Sequence, residues 1–123
     1  MKKFLFISLL SLVLLFPVMS IAQETVLYRQ AVDQLKLGNY GNAVKIFTED
    51  CNNNNDVAGC SMIAIAEYGV DHQKSVSIAK LWLNFLSKSK DPHALVFRKN
   101  LINTYIQFYK SQGADVSWLE ELK

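Results

Sequence analysis

Ser77-Ile78-Ala79-Lys80 places a lysine three residues after a serine, a spacing at which an amine can take the proton of a hydroxyl nucleophile. The same Ser-x-x-Lys pattern recurs at Ser87-Lys88-Ser89-Lys90, and neither Lys-Thr-Gly nor Ser-Asp-Asn accompanies it. In a stretch this rich in serine and lysine the pattern carries little information, so no catalytic residue is assigned. His72 and His93 each stand beside an expected loop or cap, with no Asp and Ser spaced as a triad, and read as solvent-facing turn residues. Glu49-Asp50 and Glu120-Glu121 are adjacent pairs. Neighbours in a helix point to different faces, whereas glycoside cleavage needs two carboxylates aimed at one bond, so both pairs read as solvated surface. No glycine-rich phosphate loop is present.

Cys51 and Cys60 are the two cysteines, spaced C-x8-C. That spacing fits neither a C-x2-C redox motif nor a zinc ribbon. Zinc would need about four ligands, with only His72 and His93 to add, so no metal and no cofactor are expected. The favoured reading is a structural disulfide, which requires an oxidising compartment.

The first residues supply that compartment. Lys2 and Lys3 precede an apolar run over 4–16, Pro17 ends the run, and Ser20-Ile21-Ala22 offers small residues at a cleavage site before Gln23. Residues 1–22 therefore read as a signal peptide, and residues 23–123 as one domain of a periplasmic or secreted protein. The competing reading, an uncleaved anchor, is disfavoured by Pro17 and by a run shorter than the ~20 residues that span a bilayer. Without the leader the formal +2 vanishes, because it comes from Lys2 and Lys3. Net charge then gives no support for nucleic-acid binding. The distribution is uneven: 23–71 carries three basic and seven acidic residues, and 72–112 carries seven basic and one acidic. Such a split serves either as solvated helix faces or as steering toward a partner.

The elements that must position these residues read as helices throughout. Leu27, Ala31 and Leu35 mark one face over 23–37, and Gly38 stands where a helix end favours glycine. Ala43, Ile46 and Phe47 mark a second helix over 42–51, and the asparagine run 52–55 reads as a loop. Asp56 caps a third helix over 57–69. A turn over 70–74 leads to Ser75 as the next cap, and Ile78, Ala79, Trp82, Phe85 and Leu86 form an inward stripe. Asp91-Pro92 opens the longest helix, over 94–109, with Leu95, Ile102, Tyr105, Ile106 and Tyr109 inward. Phe108 is left at the edge of that face, part-exposed or under the last helix. Ser117 and Glu120 have capping-box spacing for a short last helix, and Trp82 and Trp118 read as core.

Short turns between helices imply antiparallel hairpins, and the chain is weakly self-similar. Ala43-Val44-Lys45-Ile46-Phe47 matches Ala79-Lys80-Leu81-Trp82-Leu83, and Gly38 matches Gly69 at a shorter offset, which predicts a second turn longer by about five residues. Ala31, Leu35, Gly38, Tyr40, Ala43 and Phe47 stand at the spacing of a tetratricopeptide repeat. The unit from Ala58-Gly59-Cys60 through Tyr68-Gly69 to Trp82 resembles the Sel-one-like repeat, and Cys51 with Gly59-Cys60 is similar to its secreted, cysteine-containing type. The resemblance covers about 27–95. It implies an all-α fold, a short solenoid of stacked hairpins with a C-terminal capping helix, and a disulfide joining one hairpin to the next.

It also implies a groove lined by first-helix side chains, here Tyr28, Lys36 and Glu67, that binds a partner protein. Two roles fit: an immunity-type inhibitor of an exported toxin, or an accessory to an envelope assembly or secretion complex. The enzyme alternative is a repeat protein acting on β-lactam or cell-wall compounds through Ser77. A third option is a homodimer, which would cover apolar surface that so short a solenoid leaves open.

Overall fold

A computed structural model describes residues 25–123, and the expected signal peptide over 1–22 lies outside the described residues. The described chain is all-α. Six helices follow one another: α1 (Val26–Lys36), α2 (Tyr40–Asn54), α3 (Val57–Glu67), α4 (His72–Ser87), α5 (Pro92–Ser111) and α6 (Ser117–Glu120). Each packs on the next, while α1 also meets α3 and α3 meets α5. The result is two antiparallel hairpins, α1/α2 and α3/α4, joined chiefly where α2 packs on α3, with α5 as the next layer and α6 against it.

Local chemistry sets the ends. The Thr25 hydroxyl accepts the Tyr28 N–H at 2.9 Å and starts α1. Gly38, at φ 79°, turns the chain left-handed after α1, and the Asn39 N–H reaches back to the Gln34 carbonyl at 2.9 Å. The expected loop over 52–55 is corrected: α2 continues through Asn54, and Asn55 at φ 50° breaks it. Asparagine tolerates that left-handed conformation through its short polar side chain. The Asp56 carboxylate then accepts the Ala58 N–H and caps α3 as expected.

Two further expectations are overturned at caps. Asp71, not Ser75, opens α4, accepting the Lys74 N–H at 3.0 Å, so the helix starts at His72. The second turn therefore spans 68–71 against 37–39 for the first, and is not about five residues longer. Ser75 is fully buried. Its hydroxyl donates to the Ala64 carbonyl at 2.5 Å and pairs with the Tyr109 hydroxyl at 2.8 Å, tying α3, α4 and α5 together. At α6 the capping box does not form: the Ser117 hydroxyl donates instead to Asp115, two residues back. Asp91 and Pro92 start α5 as read from the sequence.

The core runs along the stack through Tyr28, Phe47, Met62, Leu83, Tyr105 and Tyr109. Two polar groups are paired across helices there: the Tyr105 hydroxyl donates to the Ser61 carbonyl at 2.8 Å, and the Trp82 indole to the Ser61 hydroxyl at 2.9 Å. Burial pushes the Tyr109 hydroxyl pKa up to about 12, so it stays a neutral hydrogen-bonding group. Gly69 serves contact rather than conformation. A Cβ there would fall 2.4 Å from the Tyr40 ring, so glycine lets the first residue of α2 pack on the turn of the second hairpin. Gly38 and Gly69 thus match in position but answer different constraints.

Candidate functional site

The groove residues expected from the repeat pattern do not form one exposed row. Tyr28 is buried, its ring edge-on to Phe47 at 5.5 Å. Glu67 is buried at the end of α3, with the Lys74 ammonium 3.5 Å from its carboxylate. Lys36 alone is exposed, in the last turn of α1. The physical reason is local: each side chain turns toward the second helix of its own hairpin, Tyr28 onto Phe47 and Glu67 toward Lys74.

Ser77 and Lys80 are both exposed, and their polar atoms are engaged separately. The Ser77 hydroxyl donates to the Gln73 carbonyl of its own helix at 3.1 Å, and the Lys80 ammonium lies 5.2 Å from the centre of the Trp118 ring. The Ser87 hydroxyl likewise donates to a carbonyl of its own helix, that of Asn84. His72 and His93 are exposed, as expected. The His72 ring stacks on Tyr68 at 4.0 Å. His93 does have a local acid, with Nδ1 3.2 Å from Asp91, which the sequence reading passed over. That carboxylate also accepts the His93 N–H, and the pair sits in solvent at a helix cap. Both hydrogen bonds hold the Asp91 pKa below the usual carboxylate range.

Sequence reasoning missed Asp50, read as solvated surface. It is fully buried at the α2/α3 junction, beside the disulfide. One carboxylate oxygen accepts the Thr25 hydroxyl at 2.5 Å and the Asn54 amide at 2.9 Å. The other is pressed against Gly59, where a Cβ would fall 2.2 Å away, and has no donor among the neutral and amide groups around it. Asp56 stands beside it: burial first, and then the hydrogen bond to Asp50 and its charge, raise the Asp56 pKa to about 7. The Cys51–Cys60 disulfide bridges the same junction, with its Cα atoms 4.7 Å apart. This cluster clasps one hairpin to the next and leaves no open position for a substrate. No group of three or more His, Cys, Asp or Glu able to hold a metal occurs among the described residues.

A surface of a different kind lies on α4. The expected inward stripe mixes two faces. Ser75, Ala79, Leu83 and Leu86 face the core. Leu81 is 70% exposed and Phe85 65%, so Phe85 is corrected from core to surface. Ile78 and Trp82 are half-buried beside them, and the Trp82 ring stacks on Phe85 at 5.4 Å and 12°. Leu95, also expected inward, is exposed next to Val96 at the start of α5. Phe108 is buried, and Trp118 is only half-buried. Spacing divides α4 into two arcs, positions 75, 79, 83 and 86 and positions 78, 81, 82 and 85, without telling which of them is covered.

A depression of about 420 Å³ is lined by Arg98, Lys99, Ile102, Asn103, Leu122 and Lys123. Its cations are partly committed. The Arg98 guanidinium donates to the Leu83 carbonyl at 3.0 Å, and Lys123 lies 3.5 Å from Glu120. Among the described residues no helix is long and apolar enough to cross a membrane. Compared with models of protein families, with curated proteins and with solved structures, the chain has no match.

Proposed function

We propose that this chain is an exported, non-catalytic helical-repeat protein, of the Sel-one-like or tetratricopeptide-like kind, that binds a partner protein in the periplasm or outside the cell. The observation that carries this reading is the uncovered apolar face of α4, where Leu81 and Phe85 stand in solvent beside half-buried Ile78 and Trp82. Large side chains grouped in this way commonly mark interaction surfaces. The uneven charge along the chain supports a steered encounter with one partner. The disulfide supports export, since such bonds persist in oxidising compartments. The role is that of an immunity-type inhibitor or of an accessory to an envelope complex. The enzyme alternative gains nothing from Ser77 and Lys80, whose polar groups point to different partners.

Affinity capture from the native envelope fraction, followed by mass spectrometry and titration of the captured protein, tests the proposal. One partner should bind saturably, with affinity falling as salt rises. Covalent labelling by a reporter penicillin that Ser77→Ala abolishes would overturn it.

A further inference from the structure

Lys74, Ile78, Leu81, Phe85 and Lys88 recur along α4 at alternating steps of four and three residues. That is the spacing of a coiled-coil seam, a single line of side chains that a second helix can follow. From Lys74 to Lys88 the line runs ~21 Å at the α-helical rise per residue. Its centre is apolar and exposed, and both ends are cationic. Lys74 is already engaged by Glu67 at 3.5 Å. Lys88, the C-cap of α4, has no carboxylate within ion-pair distance among the described residues, and Lys90 follows in the link to α5. From the proposed binding role, on which this step rests, we infer that α4 is a docking face for an acidic amphipathic helix of another protein. That helix would set its apolar stripe on Leu81 and Phe85 and a carboxylate against Lys88.

Charge selects this occupant over a second copy. The stretch 72–112 holds seven basic residues and one acidic residue, so two copies joined through α4 would bring like-charged surfaces together. An antiparallel pairing centred on Leu81 would also set Lys74 near the other copy's Lys88. The indole argues against a lipid surface. Interfacial tryptophans turn their N–H to the wet boundary, whereas the Trp82 N–H is spent inward on the Ser61 hydroxyl, and its ring lies flat along Phe85. Trp82 is therefore a fixed side wall of the seam, placed before any partner arrives.

Two synthetic 18-residue helical peptides test this on the purified protein. Both carry leucines on a 3.5-residue seam; one has glutamates at the two ends of the seam and the other lysines. The glutamate peptide should bind at least tenfold more tightly at low salt, and Leu81→Ser or Phe85→Ser should weaken it at least tenfold. Lys88→Glu should reverse the preference. Both side-chain truncations lie in solvent, so an unchanged thermal midpoint will show that folding is intact. Equal binding of the two peptides, or no loss with Phe85→Ser, overturns the inference. So does sedimentation as a dimer that Phe85→Ser dissociates, or binding to phosphatidylglycerol vesicles in preference to either peptide. A captured native partner that Leu81→Ser and Phe85→Ser bind with full affinity overturns the docking face and leaves the binding role standing. Absence of any saturable partner overturns the role itself.

Discussion

Replacing Gly59 by alanine should destabilise the fold, although the residue lies inside a helix. In an exposed helix the exchange would stabilise by about 1 kcal/mol, since glycine is the poorer helix former. Here the added Cβ would fall 2.2 Å from one carboxylate oxygen of Asp50, 3.0 Å from its Cγ and 3.2 Å from its Cβ. Asp50 cannot swing aside cheaply. It is fully buried, and its other oxygen is held by Thr25 and by Asn54. Displacing it would cost hydrogen bonds to a charged group, each worth about 1.5–3 kcal/mol, in addition to overpacking of about 1–3 kcal/mol. Even with partial relaxation, Gly59→Ala should lose about 2–4 kcal/mol net. For a domain of this size that lowers the thermal midpoint by roughly 10–25 °C. Circular dichroism melts and urea titrations read the loss. The decisive comparison is the double variant. In an Asp50→Ala background the obstacle is gone, and Gly59→Ala should be neutral or stabilising by up to about 1 kcal/mol. A neutral Gly59→Ala in the otherwise native protein, or an equal penalty in both backgrounds, would refute the clasp.

The same junction predicts a pH response. A carboxyl whose folded pKa is raised binds its proton more tightly folded than unfolded, so its stabilising share is complete below the unfolded value of 3.8 and is lost as pH rises toward about 7. Asp56 is only half-buried, so solvent screening reduces the effect to about 1 kcal/mol. Asp56→Asn should flatten the stability profile between pH 4 and 7, whereas an unchanged profile would deny the raised Asp56 pKa. Reducing Cys51–Cys60 should cost roughly 2–3 kcal/mol from the loop it closes, read as a lower urea midpoint in dithiothreitol. Ser75→Ala should cost about 1–3 kcal/mol by taking a partner from the buried Tyr109 hydroxyl. Tyr109→Phe should cost less at this pair, about 0.5–1.5 kcal/mol, because Ser75 keeps the Ala64 carbonyl.

Helix content and hairpin order were legible because they rest on local signals. Gly38, Asp56 and Asp91-Pro92 punctuate the chain where spacing said they should. What spacing could not give was which of two competing local chemistries wins. Asp71 and Ser75 both suit a helix cap. Asp71 takes that place because Ser75 is drawn into a buried contact with Tyr109, 34 residues away. The asparagine run is weak in helix propensity, yet α2 carries it because the disulfide and Asp50 hold that end of the helix against α3.

The site was harder to read for the same reason. Asp50 looks like its neighbour Glu49 in sequence. Only the approach of Gly59 from the next helix makes one buried and the other exposed. On α4 both arcs are apolar, so hydrophobicity alone marks each as core. Their difference depends on which arc the flanking helices α3 and α5 cover. Tyr28 and Glu67 were assigned to a groove by analogy with longer solenoids, and they turn instead toward the second helices of their own hairpins, where they are buried.

Photo-crosslinking from position 81 in the native host tests the central claim most directly. A photoreactive amino acid at Leu81 should give one discrete protein adduct, and the same group at Gln30, an exposed position on α1, should not. The adduct should disappear when Phe85 is changed to serine. Absence of an adduct at 81, or equal adducts from 81 and 30, would contradict a partner docked on α4.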